Sequence, residues 1–158
     1  MNNRYDVVMV GLGYIGLPTA GLMAGKGVKV LGVDINPSVV ETINSGKIHI
    51  IEPDLDGLIH HVISKGMLKA QTTPTYGKVY LIAVPTPFHE DFEPDISYVL
   101  AATTSIIDYL EEGSLVILES TSPVGTTQKL KELIDEKRPD LAGKYYLAYC
   151  PERVLPGN

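Results

Sequence analysis

Cysteine occurs once in the 158 residues, at Cys150, which excludes an internal disulfide. Basic side chains are also few. Thirteen Lys and Arg stand against nineteen Asp and Glu, and the net charge of −6 offers no electrostatic footprint for nucleic acid or an anionic lipid surface. Any phosphate the chain binds must therefore be held locally. The start, Met1-Asn2-Asn3-Arg4-Tyr5, leads into no signal-peptide core and no membrane span, so a cytoplasmic protein is expected. Low-complexity tracts, short-period repeats and linkers are lacking as well, and residues 1–158 are expected to form one domain. What remains is ordinary globular material, 44% hydrophobic and 20% charged, with 15 Gly and 11 Pro to make turns. A chain of this length removes roughly two thirds of its unfolded surface from water on folding.

Apolar runs of strand length alternate with segments of helical period. Asp6 to Val10 reads as a buried strand and Tyr14 to Lys26 as a helix, with Pro18 in its first turn where the missing N–H costs little. Lys29 to Val33 is a second strand. Asn36 and Pro37 look like N-cap and N1 of a short helix closed by Gly46, and Pro53-Asp54 opens another with Leu55, Leu58, Ile59, Val62 and Ile63 on one stripe. Further strands are expected at Leu68 to Thr72, Val79 to Val84, Ser114 to Leu118 and Tyr145 to Tyr149. Helices are expected from the Asp95 cap to Leu110 and from Thr126 to Arg138. Six strands joined by helical crossovers imply a parallel sheet.

Between the first strand and first helix stands Gly11-Leu12-Gly13-Tyr14-Ile15-Gly16, a G-x-G-x-x-G in strand–turn–helix context. The first Gly permits a tight turn, the second admits a pyrophosphate to the backbone, and the third lets helix pack on strand, while the helix N-terminus offers N–H groups to the anion. Asp34 ends the second strand eighteen residues beyond Gly16, where a carboxylate can accept from both ribose hydroxyls. It would repel a 2′-phosphate, and Ile35-Asn36-Pro37 supplies no Arg to reverse that preference, so NAD is expected over NADP. FAD uses the same fingerprint, and the motif alone does not choose between the two. The expected fold is α/β, a Rossmann-type doubly wound parallel sheet of six strands in the order 3-2-1-4-5-6.

Ligands of such sheets bind outside the carboxyl ends of the strands. Three segments should meet there: Val84-Pro85-Thr86-Pro87, Glu119 through Thr127, and Cys150-Pro151-Glu152-Arg153. Ser, Thr and Pro also begin turns and cap helices, and for Thr126 and Thr127 capping competes evenly with ligand contact. Glu152, beside the expected nicotinamide, could act as a general base or position a water. Other candidates are weaker. His60 and His61 are adjacent on a helix and point roughly 100° apart, a poor chelating pair, and His49 and His89 have no ligand-spaced partner; no metal is expected. Cys150 reads as a small buried hydrophobe rather than a nucleophile. Tyr145, Tyr146 and Tyr149 read as sheet packing, and Glu90-Asp91-Phe92-Glu93 as a solvated acidic loop.

Gly-Leu-Gly-Tyr-Ile-Gly-Leu-Pro at 11 to 18, Val-Pro-Thr-Pro at 84 to 87 and Glu-Ser-Thr-Ser-Pro-Val-Gly-Thr-Thr at 119 to 127 resemble, in order and spacing, the NAD-binding domain of the UDP-glucose/GDP-mannose dehydrogenase family. The segments from Ile48 to Leu55 and from Cys150 to Gly157 are most similar to the bacterial branch that oxidises UDP-N-acetyl-D-mannosamine to the uronate used in surface polysaccharide. The resemblance implies NAD contacts at Tyr14, Ile15, Asp34, Thr86 and Thr127, with Thr121 near the nicotinamide and the reaction water. It also implies acid/base work for Glu152 and contact of Arg153 and Val154 with the UDP-sugar. Members oxidise a C6 alcohol in two hydride transfers, through an aldehyde and a cysteine-bound thioester that water hydrolyses. The UDP-glucose branch carries a second Glu four residues after the Pro-Glu pair, where Pro156 stands here, which turns the reading away from UDP-glucose.

The family's nucleophilic Cys, catalytic Lys and Asn, dimer-forming central helix and UDP-binding domain are not among these 158 residues. The complete enzyme is expected to be a homodimer and this chain alone to be inactive. Two alternatives stand beside the leading one: a UDP-N-acetylglucosamine 6-dehydrogenase domain, and a dinucleotide-binding module without catalysis.

Overall fold

The computed structural model describes residues 4–87 and 94–152. Six strands, β1 (Tyr5–Val10), β2 (Val30–Val33), β3 (Leu68–Gln71), β4 (Gly77–Ile82), β5 (Leu115–Leu118) and β6 (Tyr146–Tyr149), form one sheet in the order β3-β2-β1-β4-β5-β6. Every pairing is parallel, with Val7 opposite Val30 and Val79, and Val10 opposite Val33 and Ile82. The expected topology is therefore the observed one. Five helices cross between the strands: α1 (Gly16–Gly25), α2 (Pro37–Asn44), α3 (Leu55–Ser64), α4 (Ser97–Ile106) and α5 (Thr126–Lys137).

The inner strands send successive side chains to opposite faces of the sheet, and both faces are covered. Val8 and Val10 of β1 join Leu31, Tyr80, Ile82, Val116 and Leu118 in a core closed by Val99 and Ile106 of α4 and by Leu130 and Ile134 of α5. Val7 and Met9 face the opposite core, closed by Leu17 and Ala20 of α1, Ile43 of α2, and Leu55, Ile59 and Val62 of α3. The expected stripe on α3 thus lies on the sheet, though Leu58 and Ile63 stay only partly buried. Burying each such Val, Leu or Ile contributes on the order of 1.5–3 kcal/mol.

Element boundaries follow local chemistry. The Asn36 side chain accepts from the Ser38 N–H at 3.0 Å, with Pro37 at the first helical position, as the sequence implies. Asp54, also expected as a cap, takes a left-handed conformation (φ 61°) and makes no side-chain cap bond. The Asp95 carboxylate accepts from Ser97 N–H at 2.8 Å, but α4 ends at Ile106 and tightens into a 3₁₀ turn over Ile107–Tyr109 instead of running to Leu110. Strand β6 occupies the sheet edge, and that position overturns two expectations. Cys150 is exposed, not buried, and Tyr146 and Tyr149 remain 67% and 42% exposed. Tyr145 does pack on the core, and its hydroxyl donates to Asp135 at 2.9 Å. His89, the acidic segment from Glu90 to Glu93, and the expected substrate residues Arg153 and Val154 lie outside the described residues.

Candidate functional site

The chain leaves β1 to build β2 and β3 on one side, then returns to place β4 on the other. The carboxyl ends of β1 and β4 therefore diverge into different loops and open a crevice between them. A cavity of about 650 Å³ occupies this place, within the usual range for small-molecule sites. Its wall brings together Gly11, Gly13, Tyr14, Ile15, Asp34, Thr86, Thr121 and Glu152, residues drawn from the ends of five strands.

At the β1 end, Gly11 has φ +96°, and a Cβ there would fall 2.4 Å from the Ala83 carbonyl oxygen. Gly16 is the helix-packing glycine, since its Cβ would lie 1.8 Å from the Gly11 carbonyl oxygen. Gly13 differs from both: nothing lies within 4 Å of where its Cβ would be. Packing does not require that glycine. Its bare backbone borders the cavity just before α1 begins, the approach a pyrophosphate needs.

Asp34 closes one end. One carboxylate oxygen accepts from Leu12 N–H at 3.1 Å and the other from Asn36 N–H at 2.9 Å, so the side chain is fixed between the glycine turn and the start of α2. Each oxygen keeps a lone pair for a ligand hydroxyl. Ile35 beside it is 86% exposed and lines the same cavity, an apolar surface for a flat base.

At the other end, hydrogen bonds stitch the loops after β4, β5 and β6 together. The Thr86 hydroxyl donates to the Thr121 carbonyl at 2.6 Å, and the Thr121 hydroxyl donates to the Glu152 carbonyl at 3.3 Å. The Ser120 hydroxyl donates to the Val84 carbonyl at 2.7 Å. Threonine and serine in these loops thus fix the crevice floor. Thr126 is buried and its hydroxyl donates to Pro123 at 2.8 Å, a turn role, while Thr127 lies in the first turn of α5 and is not part of the cavity wall.

One contribution escaped the sequence reading. Tyr98, Ala101, Ala102 and Ser105 of α4 form one side of the cavity, and their helical spacing with small residues was the available signal. Glu119, in a segment expected to meet there, is part of the cavity wall; burial first, then the negative charge of Glu152, raise its carboxyl above the usual carboxylate range. A dinucleotide fits these residues, with a carboxylate that has lone pairs free for hydroxyl donors at one end, bare backbone at a helix N-terminus in the middle and polar loops at the other end.

The family model described as "UDP-glucose/GDP-mannose dehydrogenase family, NAD binding domain" matches residues 5–158. UDP-N-acetyl-D-mannosamine dehydrogenase of Escherichia coli K12 is 52% identical over 160 residues, covering 96% of this chain and 38% of that protein. NDP-N-acetyl-D-galactosaminuronic acid dehydrogenase of Ralstonia nicotianae is 50% identical with the same coverage. Among solved structures, the UDP-N-acetyl-mannosamine dehydrogenase of Staphylococcus aureus superposes with a TM-score of 0.88 at 42% identity, over 98% of this chain and 38% of that one. The chain spans well under half the length of these relatives.

Proposed function

Because the chain belongs to the UDP-glucose/GDP-mannose dehydrogenase family and is its NAD-binding domain, we propose that it forms the cofactor half of a UDP-N-acetyl-D-mannosamine 6-dehydrogenase. The complete enzyme would oxidise the C6 alcohol to a carboxylate in two hydride transfers, as a cytoplasmic homodimer. The reading takes residues 1–158 as one NAD-binding unit. The single observation that carries it is the convergence, in one cavity, of the Asp34 carboxylate at one end with Thr121 and Glu152 at the other.

Bound NAD supplies the hydride acceptor. The chain's own residues supply position and proton handling. Asp34 accepts from the adenosine ribose, Tyr14 and Ile15 flank the pyrophosphate turn, and Thr86 and Thr121 hold the floor under the nicotinamide. Thr127 completes the cofactor set from the amino end of α5. Glu152 takes the O–H proton of the C6 alcohol as C6 gives up its hydride, and after the second hydride transfer takes a proton from the water that attacks the thioester carbon and expels the thiolate of the family's nucleophilic cysteine; such general-base contributions are worth about 10²-fold to 10⁴-fold in rate. Arg153 and Val154, next in sequence, would meet the UDP-sugar.

The test is NADH formation by the complete protein with UDP-N-acetylmannosamine beside its N-acetylglucosamine and N-acetylgalactosamine counterparts. Turnover highest on the manno epimer is expected. Preference for the gluco or galacto sugar would reassign the substrate, the latter towards the activity named for the Ralstonia relative, and no turnover on any would favour a non-catalytic dinucleotide module.

A further inference from the structure

Glu119 is the first residue past β5, and its backbone is clamped there. Its own N–H donates to the Ile82 carbonyl at 2.9 Å, and the next residue, Ser120, ties its hydroxyl to Val84. The residue forms part of the cavity wall, and its Oε2 is buried and accepts from no donor among the described residues. A buried carboxylate oxygen left without a donor is costly, and no structural bond explains why it is placed there.

The surroundings deepen the anomaly. Among the described residues, the other ionisable groups of the cavity wall are Tyr14 after β1, Asp34 after β2, Tyr98 of α4 and Glu152 after β6; none of these is a cation. A group arriving beside Glu119 is therefore met by negative potential. Three strand spacings separate β2 from β5, about 14 Å. A dinucleotide whose adenosine ribose is held by Asp34 and whose pyrophosphate is held at β1 thus lays its nicotinamide towards Glu119. That ring carries a full positive charge in NAD and none in NADH, while the rest of the molecule is the same in both.

Resting on the reading of this crevice as a dinucleotide site, we propose that Glu119 faces the nicotinamide half of the bound cofactor and makes the crevice favour the oxidised, cationic ring over the reduced, neutral one. Such a preference suits an enzyme that must exchange NADH for fresh NAD between its two oxidations. Glu119 and Glu152 then divide the work: Glu119 reads the ring charge, and Glu152 handles the proton of the alcohol and the water.

The experiment is calorimetric titration of this chain and of Glu119→Gln with NAD, NADH and ADP-ribose, which lacks the nicotinamide. The substitution should weaken NAD by roughly fivefold, the scale of one partly exposed charge pair, and leave NADH and ADP-ribose within about twofold. Equal losses for NAD and NADH, a loss that extends to ADP-ribose, or no change in any ligand would overturn the proposal. A measurement on the unmodified chain stands independent of the variant's folding. Its affinity for NAD relative to ADP-ribose should rise with pH as Glu119, held above the usual carboxylate range by burial and by Glu152, ionises, and a flat ratio overturns the proposal. Normal ADP-ribose binding with a negative Glu119 result leaves the cofactor site standing. Absence of both NAD and ADP-ribose binding to the unmodified chain removes the site reading and the proposal with it.

Discussion

Replacing Gly13 by Ala separates ligand binding from folding more cleanly than any other change in the crevice. The added Cβ meets no atom within 4 Å, and Gly13 is not among the glycines with positive φ, so the folded chain accepts the methyl without strain. Ala also restricts the unfolded chain, worth about 0.4–1 kcal/mol in favour of the native state. At this length one kcal/mol moves Tm by roughly 2–4 °C, so thermal denaturation should show Tm unchanged or raised by about 1–4 °C. The same methyl occupies the surface on which the pyrophosphate should rest, and an overlap of that kind costs about 1–3 kcal/mol, or roughly fivefold to 150-fold in Kd. Gly16→Ala is the opposite case. Its Cβ would lie 1.8 Å from the Gly11 carbonyl oxygen, a backbone atom that cannot swing aside, so a loss of about 3 kcal/mol or more and a Tm lower by at least roughly 6 °C are expected. Calorimetry with NAD completes the comparison. If Gly13→Ala keeps its Tm and binds NAD as tightly as the unmodified chain, the pyrophosphate does not lie on this turn.

Two further outcomes concern chemistry. In the complete enzyme Glu152→Gln should lower kcat by about 10²-fold to 10⁴-fold with little change in NAD affinity; a loss confined to NAD binding would make Glu152 a cofactor-positioning residue. The 158-residue chain alone should form no NADH above background with UDP-N-acetylmannosamine, and Cys150→Ser should change nothing, whereas steady turnover abolished by that substitution would make the exposed Cys150 a nucleophile.

Strand order and both cores were legible because the signal is physical and local. β1, β2 and β4 carry apolar runs at 7–10, 30–33 and 79–82 that are largely buried, and each crossover is long enough to force a parallel return. Asn36-Pro37 was legible as a helix start for the same reason, since cap and N1 proline act within three residues. Exposure of the β6 side chains was not. The Tyr-Leu-Ala-Tyr of β6 has the composition of an inner strand, and only the order of the sheet leaves Tyr146, Tyr149 and Cys150 exposed. The crevice was legible where one motif carries it, at Gly11 to Gly16 and Asp34. Tyr98 and Ser105 reach the same cavity from α4, where helical spacing shows a shared face but not what it faces, and the burial of Glu119 Oε2 depends on neighbours distant in sequence, so no local pattern announces it.

The most direct test of the account is the affinity of this chain for NAD and NADP measured side by side by calorimetry, with Asp34→Ala as the comparison. The carboxylate fixed by Leu12 and Asn36 should accept the ribose hydroxyls of NAD and repel the 2′-phosphate of NADP, so NAD binds clearly tighter and the substitution weakens NAD and narrows the gap. NADP binding as tightly as NAD, or no binding of NAD at all, would contradict it.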